Sequence, residues 1–165
     1  MNAAQVWAWL AEVEDPEIPV LSIVDLGIVR DVAWEQGACV VTLTPTYSGC
    51  PATEVIAQSV IDHLRARGIA ELRLQTRLAP AWTTDWMSED GKRKLHAYGI
   101  APPIGLAREQ TVKLAAIGKG RPPSPACPQC GSPRTVLASA FGSTPCKSMY
   151  RCEACLEPFD HFKCH

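Results

Sequence analysis

Two pairs of cysteines near the end of the chain constrain its fold more than any other feature. They are Cys127-Pro128-Gln129-Cys130 and Cys152-Glu153-Ala154-Cys155, and the two-residue gap in each lets both thiolates of one tight turn reach a single metal ion. Residues 131–151 are numerous enough to form a small hairpin that returns the second turn to the first. The spacing therefore predicts a four-cysteine metal ribbon.

Zinc is the expected metal of this ribbon, because a closed site of four thiolates is usually structural. Iron is the alternative, since the first turn also has the style of a rubredoxin-like iron site, and disulfides are a third. Cys146 and Cys164 exceed a four-ligand site, and we interpret them as buried or idle thiols. They could instead exchange with the four ligands, or form a second metal site with His161 and His165.

The cysteine distribution also predicts two domains. Six of the eight cysteines lie at or after Cys127, in a stretch too short to fold by apolar burial alone, so a metal would supply part of its folding free energy. The glycines and prolines of residues 118–125 predict an interdomain linker. We therefore expect a domain at 1–117 that ends in a connector (Ala101–Ile104 and 106–117), and a zinc ribbon at 126–165.

Hydrophobic periodicity assigns the first domain to the α/β class. The predicted order is helix, strand, strand, helix, strand, a small α-β-β-α-β sandwich. A first helix ends before Asp15-Pro16, and an antiparallel hairpin turns at Glu35-Gln36-Gly37. The remaining elements are a helix that carries Val55, Ile56, Val60 and Leu64 and closes at Gly68, and a strand that carries Leu72, Leu74 and Leu78.

Cys50 is the most reactive candidate in this domain. It would lie at or next to the N-cap of the second helix, with Pro51 at the first helical position. The positive end of the helix and its unpaired N–H groups favour the thiolate form there. Gly49 would let a ligand or partner approach closely. Cys50 is thus a candidate nucleophile or metal ligand, against the alternative of a small residue that only fits a crowded turn.

Three carboxylates form a second, weaker candidate cluster. Asp15, Glu17 and Asp25 lie in or near a proline-stiffened loop, where they could position a metal or a proton. Acidic residues in turns are more often solvated or capping. Trp82 and Trp86, after the third predicted strand, are interpreted as core rather than docking surface.

Four blocks of sequence carry a family resemblance. They are Asp15–Pro19, Asp25–Val29, Thr46–Pro51 and Ala79–Ser88, in this order. With them the chain, to about Pro102, resembles the MIP18 family, also called the domain of unknown function 59 or the FeS-assembly SufT-like domain. The resemblance implies that Asp25, Thr46 and Cys50 meet at one surface site. These three residues, together with Glu17 of the acidic cluster, are the candidates for cluster or metal transfer.

The fusion of such a domain to a four-cysteine ribbon resembles the PaaD family of phenylacetate-degradation proteins. The tail from Tyr150 to His165 matches that group. This resemblance implies an accessory protein that supports iron–sulfur assembly or metal loading of the multicomponent phenylacetyl-CoA 1,2-epoxidase. Its expected partners are the reductase or oxygenase components and the Fe–S assembly machinery. Alternatives are a non-catalytic structural or docking subunit of that complex and, less favoured, a nucleic-acid-binding ribbon protein.

The residues argue against the catalytic components themselves. None of the four histidines follows a glutamate by three residues, as the Glu-x-x-His motifs of a di-iron bundle require. No G-x-G-x-x-G fingerprint or plant-type ferredoxin spacing occurs, which argues against the reductase. Cys50 lacks a sequence-evident base for hydrolase or transferase chemistry. Because a cluster normally has four protein ligands, a homodimer or a client would have to complete a site at Cys50.

Charge and hydropathy limit the binding partners and the cellular location that we expect. The net charge is −1, which disfavours electrostatic attachment to nucleic acid or an anionic membrane. No apolar run is long enough to span a bilayer, and the N-terminus lacks a signal-peptide pattern. We expect a cytoplasmic protein with reduced thiols. In the ribbon, Phe141, Phe159 and Phe162 are interpreted as core or protein-contact residues.

Overall fold

The structure is a computed structural model and describes residues 2–47, 49–105 and 123–164. It divides into two compact units. The first unit runs to Trp82 and also takes in Trp86–Gly91, and the second comprises Thr83–Asp85 and the chain from Lys92 onward. The predicted connector at 106–117 and linker residues 118–122 lie outside the described residues, so the predicted domain boundaries stay a prediction.

The first unit has the predicted order of elements. They are α1 (Ala3–Leu10), β1 (Val29–Glu35), β2 (Ala38–Leu43), α2 (Ala52–Ala66) and β3 (Leu72–Thr76). The chain then forms a short 3₁₀ helix (Thr84–Trp86) and α3 (Glu89–Ala97), which crosses the boundary between the units. The α-β-β-α-β prediction is confirmed.

A three-stranded sheet in the order β1-β2-β3 forms the centre of the first unit. β1 and β2 are antiparallel around a two-residue turn in which Gln36 and Gly37 both have positive φ, 50° and 86°. Such type I′ turns match the twist of a hairpin. β2 and β3 are parallel, and α2 supplies the crossover that parallel pairing requires. Every residue of β2 is buried, as expected for the central strand.

The apolar faces of α1 and α2 pack on this sheet and form the core of the first unit. α1 contributes Val6 and Leu10, while α2 contributes Ile56, Val60 and Leu64 from positions three or four residues apart. The α2 helix ends as predicted, because Gly68 takes a left-handed φ of 89° and its N–H donates to the carbonyl of Arg65.

Two residues of the predicted elements lie elsewhere than expected. Val55 is 52% exposed, because the buried stripe of α2 runs through Ala52 and Ile56 instead. Leu78 is 60% exposed and lies beyond β3, which ends at Thr76. In both cases hydrophobicity alone suggested burial, whereas the register of the element decides which side chains face the core.

The second unit contains a four-stranded sheet in the order β4-β7-β6-β5. Its strands are β4 (Ile100–Ala101), β5 (Thr135–Ser139), β6 (Lys147–Cys152) and β7 (Pro158–Phe162). The predicted hairpin between the cysteine pairs is β5–β6, and β7 extends it antiparallel. Phe159 and Phe162 are buried, whereas Phe141 is exposed with the Lys163 Nζ 4.3 Å from its ring centre.

Candidate functional site

The two cysteine pairs meet in the second unit. The Sγ atoms of Cys127, Cys130, Cys152 and Cys155 all lie within 4.8 Å of one another. The Cys127–Cys155 and Cys130–Cys152 sulfur distances are 3.7 and 3.6 Å. Four sulfurs about 2.3 Å from a central zinc ion would be about 3.8 Å apart, so the cluster has the size of a tetrahedral thiolate site. The donor set therefore fits zinc.

The two turns that present these cysteines have matching backbones. In the first, the Cys127 N–H donates to the Ser132 carbonyl at 3.0 Å, and in the second the Cys152 N–H donates to the Glu157 carbonyl at 3.0 Å. The residue after each pair is left-handed, Gly131 at φ 73° and Leu156 at φ 68°. The repeated geometry explains why both two-residue gaps place two sulfurs on the same side of a turn.

Backbone N–H groups also stabilise the thiolate form of Cys152 at this site. The N–H groups of Cys155 and then Ala154 lower the pKa of Cys152 to about 6, even though desolvation opposes them. The Ala154 N–H lies 3.4 Å from the Cys152 Sγ. Because the thiolate is the form that binds a metal, this hydrogen bonding favours ligation by Cys152. At Cys155 the Glu157 N–H acts in the same direction, but desolvation and the neighbouring thiols outweigh it and raise the pKa of Cys155 to about 12.

The surplus ribbon residues occupy separate positions. Among the described residues, only the four cysteines form a group with metal-ligand spacing. Cys146 is buried with its Sγ 3.0 Å from the Thr144 hydroxyl, and Cys164 donates to the Ile104 carbonyl. The His161 Nδ1 lies 3.4 Å from the Ser148 hydroxyl, and burial followed by the Lys163 charge lowers its pKa to about 4. His165 lies outside the described residues.

Cys50 lies in the first unit, directly before α2. Pro51 has helical angles and occupies the N-cap, one residue earlier than predicted, and the Thr53 N–H donates to the Cys50 carbonyl at 3.1 Å. Cys50 is therefore next to the N-cap, as expected, with 9% of its surface exposed. Gly49 beside it is exposed at φ 82°, and a Cβ there would meet nothing within 4 Å. The backbone directly before Cys50 is thus open on the side that a Gly49 side chain would occupy.

Asp25 is held in a hydrogen-bond network. Its Oδ2 accepts from the N–H and the hydroxyl of Ser22, and its Oδ1 accepts from the Ser88 hydroxyl at 2.9 Å. The Ser88 N–H donates back to the Asp25 carbonyl, and the Gly91 N–H donates to the Ser88 hydroxyl. The carboxylate thus joins the loop before β1 to the start of α3.

Sequence patterns did not single out Ser22 or Ser88. The spacing of Ser22 and Asp25, three residues apart in a turn-rich segment, is a usable signal for local capping. The partnership with Ser88 has no local signal, because that residue is 63 positions away.

The other loop candidates take different roles in the backbone. The Asp15 Oδ1 accepts from the N–H groups of Glu17 and Ile18, the turn-capping alternative. Glu17 and Thr46 are half-buried, and Ser48 in the Thr46–Pro51 loop lies outside the described residues.

Trp82 is buried and donates to the Leu26 carbonyl at 2.8 Å, which confirms it as core. Trp86 is half-buried beneath the Arg30 guanidinium.

Comparison with known proteins assigns both parts of the chain. Residues 3–70 match the model of an iron–sulfur cluster assembly protein family, and residues 115–163 match the PaaD zinc beta ribbon domain. A protein of Escherichia coli (strain K12) that is named as a putative subunit of 1,2-phenylacetyl-CoA epoxidase is 46% identical over 97% of this chain and 92% of its own length. The chain belongs to the PaaD family. The resemblance in the sequence is thereby confirmed.

Two further relatives of this PaaD-family chain each match about half of it. An Fe–S protein maturation auxiliary factor of Porphyromonas gingivalis is 34% identical over 52% of this chain and 83% of its own length. The crystal structure of a domain of unknown function 59 from Bacillus anthracis superposes with a TM-score of 0.52, at 32% identity. It covers 56% of this chain and 89% of that one. These likenesses confirm the fold of the first unit.

Within the described residues, no helix has both the length and the apolar character needed to cross a membrane.

Proposed function

We propose that this protein is an accessory maturation factor of aerobic phenylacetate degradation. It supports iron–sulfur cluster assembly or metal loading of the multicomponent phenylacetyl-CoA 1,2-epoxidase. The observation that carries the proposal is the combination of the two family matches in one chain, an iron–sulfur assembly module and a PaaD zinc ribbon. The expected partners are the reductase or oxygenase components and the Fe–S assembly machinery.

Cys50 is the proposed transfer ligand. It falls inside the residues that match the iron–sulfur assembly family, together with Asp25, Thr46 and Glu17. Its place at the start of a 15-residue helix and the open space beside Gly49 support contact with an incoming ligand. The cargo would move by exchange of thiolate ligands, with no net oxidation. Since one thiolate cannot hold a cluster, a client or a second copy of the chain completes the site.

The ribbon has a structural role in this proposal. Zinc held by four cysteines closes the metal's coordination sphere and leaves no position open for chemistry. A cytoplasmic location is part of the proposal, because the four thiols must stay reduced to bind the metal.

The test replaces Cys50 by Ser in cells that make the epoxidase components. We expect the iron and sulfide content of those components to fall with Cys50→Ser and to stay normal with Cys39→Ala. Cys39 is a matched control because it is the other cysteine of the first unit, fully buried in β2. Normal iron loading with Cys50→Ser would rule out the carrier role.

Spectra of the protein itself separate direct from indirect carriage. Protein purified without oxygen is analysed for zinc, iron and sulfide, with ultraviolet-visible and electron paramagnetic resonance spectra. Iron and sulfide that disappear with Cys50→Ser would show that this chain carries the cluster. One zinc per chain in both forms, without iron, would show that the isolated chain carries no cluster, so that Cys50 could bind one only in the presence of a client.

A docking component of the complex is the second candidate function. It is favoured by the name of the Escherichia coli relative, which describes that protein as a subunit of the epoxidase. In this case the protein would copurify with the other components in a fixed ratio, and Cys50→Ser would change neither the complex nor its iron content. A nucleic-acid role remains the least favoured, since the net charge of −1 gives little attraction to phosphates.

A further inference from the structure

The metal site of the second unit has a support that lies upstream of the matched ribbon. The family match begins at residue 115, but β4 completes the ribbon sheet from residues 100–101. Ile100 pairs with Asp160 and Ala101 pairs with His161 of β7, in parallel. We define residues 99–104 as the upstream segment. Two paired residues are too few to hold a strand by hydrogen bonding alone, so packing must contribute.

The packing comes from the cysteine turns. Ala101 is 2% exposed and belongs to one apolar cluster with Cys127, Cys152 and Phe159. Gly99 has φ 90°, and a Cβ built on it would lie 3.2 Å from the Nε2 of Gln129, inside the first cysteine turn. At the far end of the segment, the Ile104 carbonyl accepts from the Cys164 thiol. The upstream segment therefore rests on both turns that supply metal ligands.

The two turns are joined both by the backbone and through the sulfurs. The Glu153 N–H, inside the second turn, donates at 2.9 Å to the carbonyl of Arg134, which follows the first turn. Within the described residues, the hydrogen bonds between the sulfurs themselves are weak contacts between thiols. A metal ion bonded to all four sulfurs fixes the turns against each other, as in other small metal-stapled modules. If the turns separate, Ala101 loses the Cys127 or Cys152 part of its packing surface, and Gly99 loses its fit beside Gln129.

We propose that docking of the upstream segment and metal binding by the four cysteines are thermodynamically linked. The metal-bound ribbon holds the upstream segment, which contains β4, and metal loss releases it. By reciprocity, a change that undocks the segment weakens metal binding by the same factor. The ribbon thus holds the upstream segment in a metal-dependent way, although this segment lies outside the residues that match the ribbon family.

Hydrogen exchange on the full chain tests the first direction. With zinc bound, the amides of Ile100 and Ala101 should exchange at least about tenfold more slowly than after removal of zinc by a chelator under reducing conditions. The amide of Val41, in β2 of the first unit, serves as the internal control and should not change. Equal protection of Ile100 and Ala101 with and without zinc would overturn the proposal, whether or not β6 and β7 change.

A pair of glycine substitutions tests the reverse direction. Gly99→Val places a branched side chain at φ 90° against Gln129, whereas Gly105→Val has a comparable φ of 66° but meets nothing within 4 Å. Zinc affinity is measured by competition with a chromophoric chelator. We expect about a tenfold or larger loss for Gly99→Val and a change within about threefold for Gly105→Val. Unchanged affinity in Gly99→Val would contradict the linkage.

Discussion

The Asp25 carboxylate connects two segments that are far apart in the sequence. Both oxygens accept hydrogen bonds, from Ser22 in its own loop and from Ser88 before α3. Because Asp25 is only 8% exposed, a change that removes an acceptor leaves a donor unsatisfied away from water. Any role of Asp25 in transfer would therefore be superimposed on a structural one, and a test of function must separate the two.

Asp25→Asn is expected to lower the free energy of unfolding of the first unit by about 1–3 kcal/mol, since the amide nitrogen cannot accept a hydrogen bond. Asp31→Asn, at an exposed position of β1, is the control and should change this free energy by less than about 0.5 kcal/mol. Urea unfolding followed by tryptophan emission measures both. A stable Asp25→Asn protein that fails in epoxidase maturation would assign Asp25 a direct role instead.

His161 provides a prediction about pH. Burial followed by the Lys163 charge lowers its pKa to about 4, from an ordinary value of 6.5. The unfolded chain therefore binds a proton at this residue between these two values while the folded chain does not. The contribution to stability is complete above pH 6.5 and is lost as the pH falls towards 4, with an upper limit of about 3 kcal/mol.

Nuclear magnetic resonance of the imidazole ring should give a midpoint near 4 for His161. His161→Phe should flatten the fall in stability of the second unit between pH 7 and 5.5, measured by urea unfolding with zinc in excess. His96→Gln, on the exposed face of α3, is the matched control and should keep the slope of the wild type. A ring midpoint near 6.5 in the folded protein would refute the prediction.

At the scale of elements, the loop before β1 packs so closely against Trp86 of the short 3₁₀ helix that position 27 has room only for glycine. Gly27 has φ 71°, and a Cβ there would lie 2.4 Å from the Trp86 carbonyl oxygen. The obstacle is backbone, which cannot rotate away as the end of a side chain can. The same turn supplies the Leu26 carbonyl that accepts from Trp82.

Gly27→Ala should therefore destabilise the first unit by more than about 3 kcal/mol, since strain at positive φ and a backbone clash add. Gly37→Ala, at φ 86° in an open turn, carries the strain alone and should cost about 1–2 kcal/mol. Thermal unfolding of both variants, followed by circular dichroism, gives the comparison. Equal losses in the two variants would show that the Trp86 contact contributes nothing.

The elements that the sequence predicted are those with local signals. The stripe of α2 repeats at helical spacing, the Gln36-Gly37 turn determines the hairpin, and the cysteine pairs mark the ribbon. β4 had no such signal, because two residues beside prolines acquire strand geometry only from a partner about 60 positions away. Likewise the hydrogen bond from Ser88 to Asp25 joins residues 63 positions apart, and no periodicity encodes a contact of that range.

At the scale of the whole molecule, the two units differ in what stabilises them. The first has an apolar core of two helices on a sheet, whereas the second surrounds four cysteines. All five tryptophans, Trp7, Trp9, Trp34, Trp82 and Trp86, belong to the first unit. Tryptophan emission thus reports on the first unit, while metal content reports on the second.

We expect the metal to stabilise the second unit far more than the first. A metal that binds only the folded ribbon raises the ribbon's stability by mass action, and this gain disappears with a chelator. In calorimetry with and without a chelator, one transition should shift strongly, while the transition seen in tryptophan emission stays within a few degrees. Cys155→Ser should reproduce the effect of the chelator and abolish stoichiometric zinc, whereas Cys146→Ser, outside the cluster, should retain one zinc per chain. If chelation shifted the tryptophan transition equally, the two units would unfold as one, and their separate stabilisation by an apolar core and by a metal would be wrong.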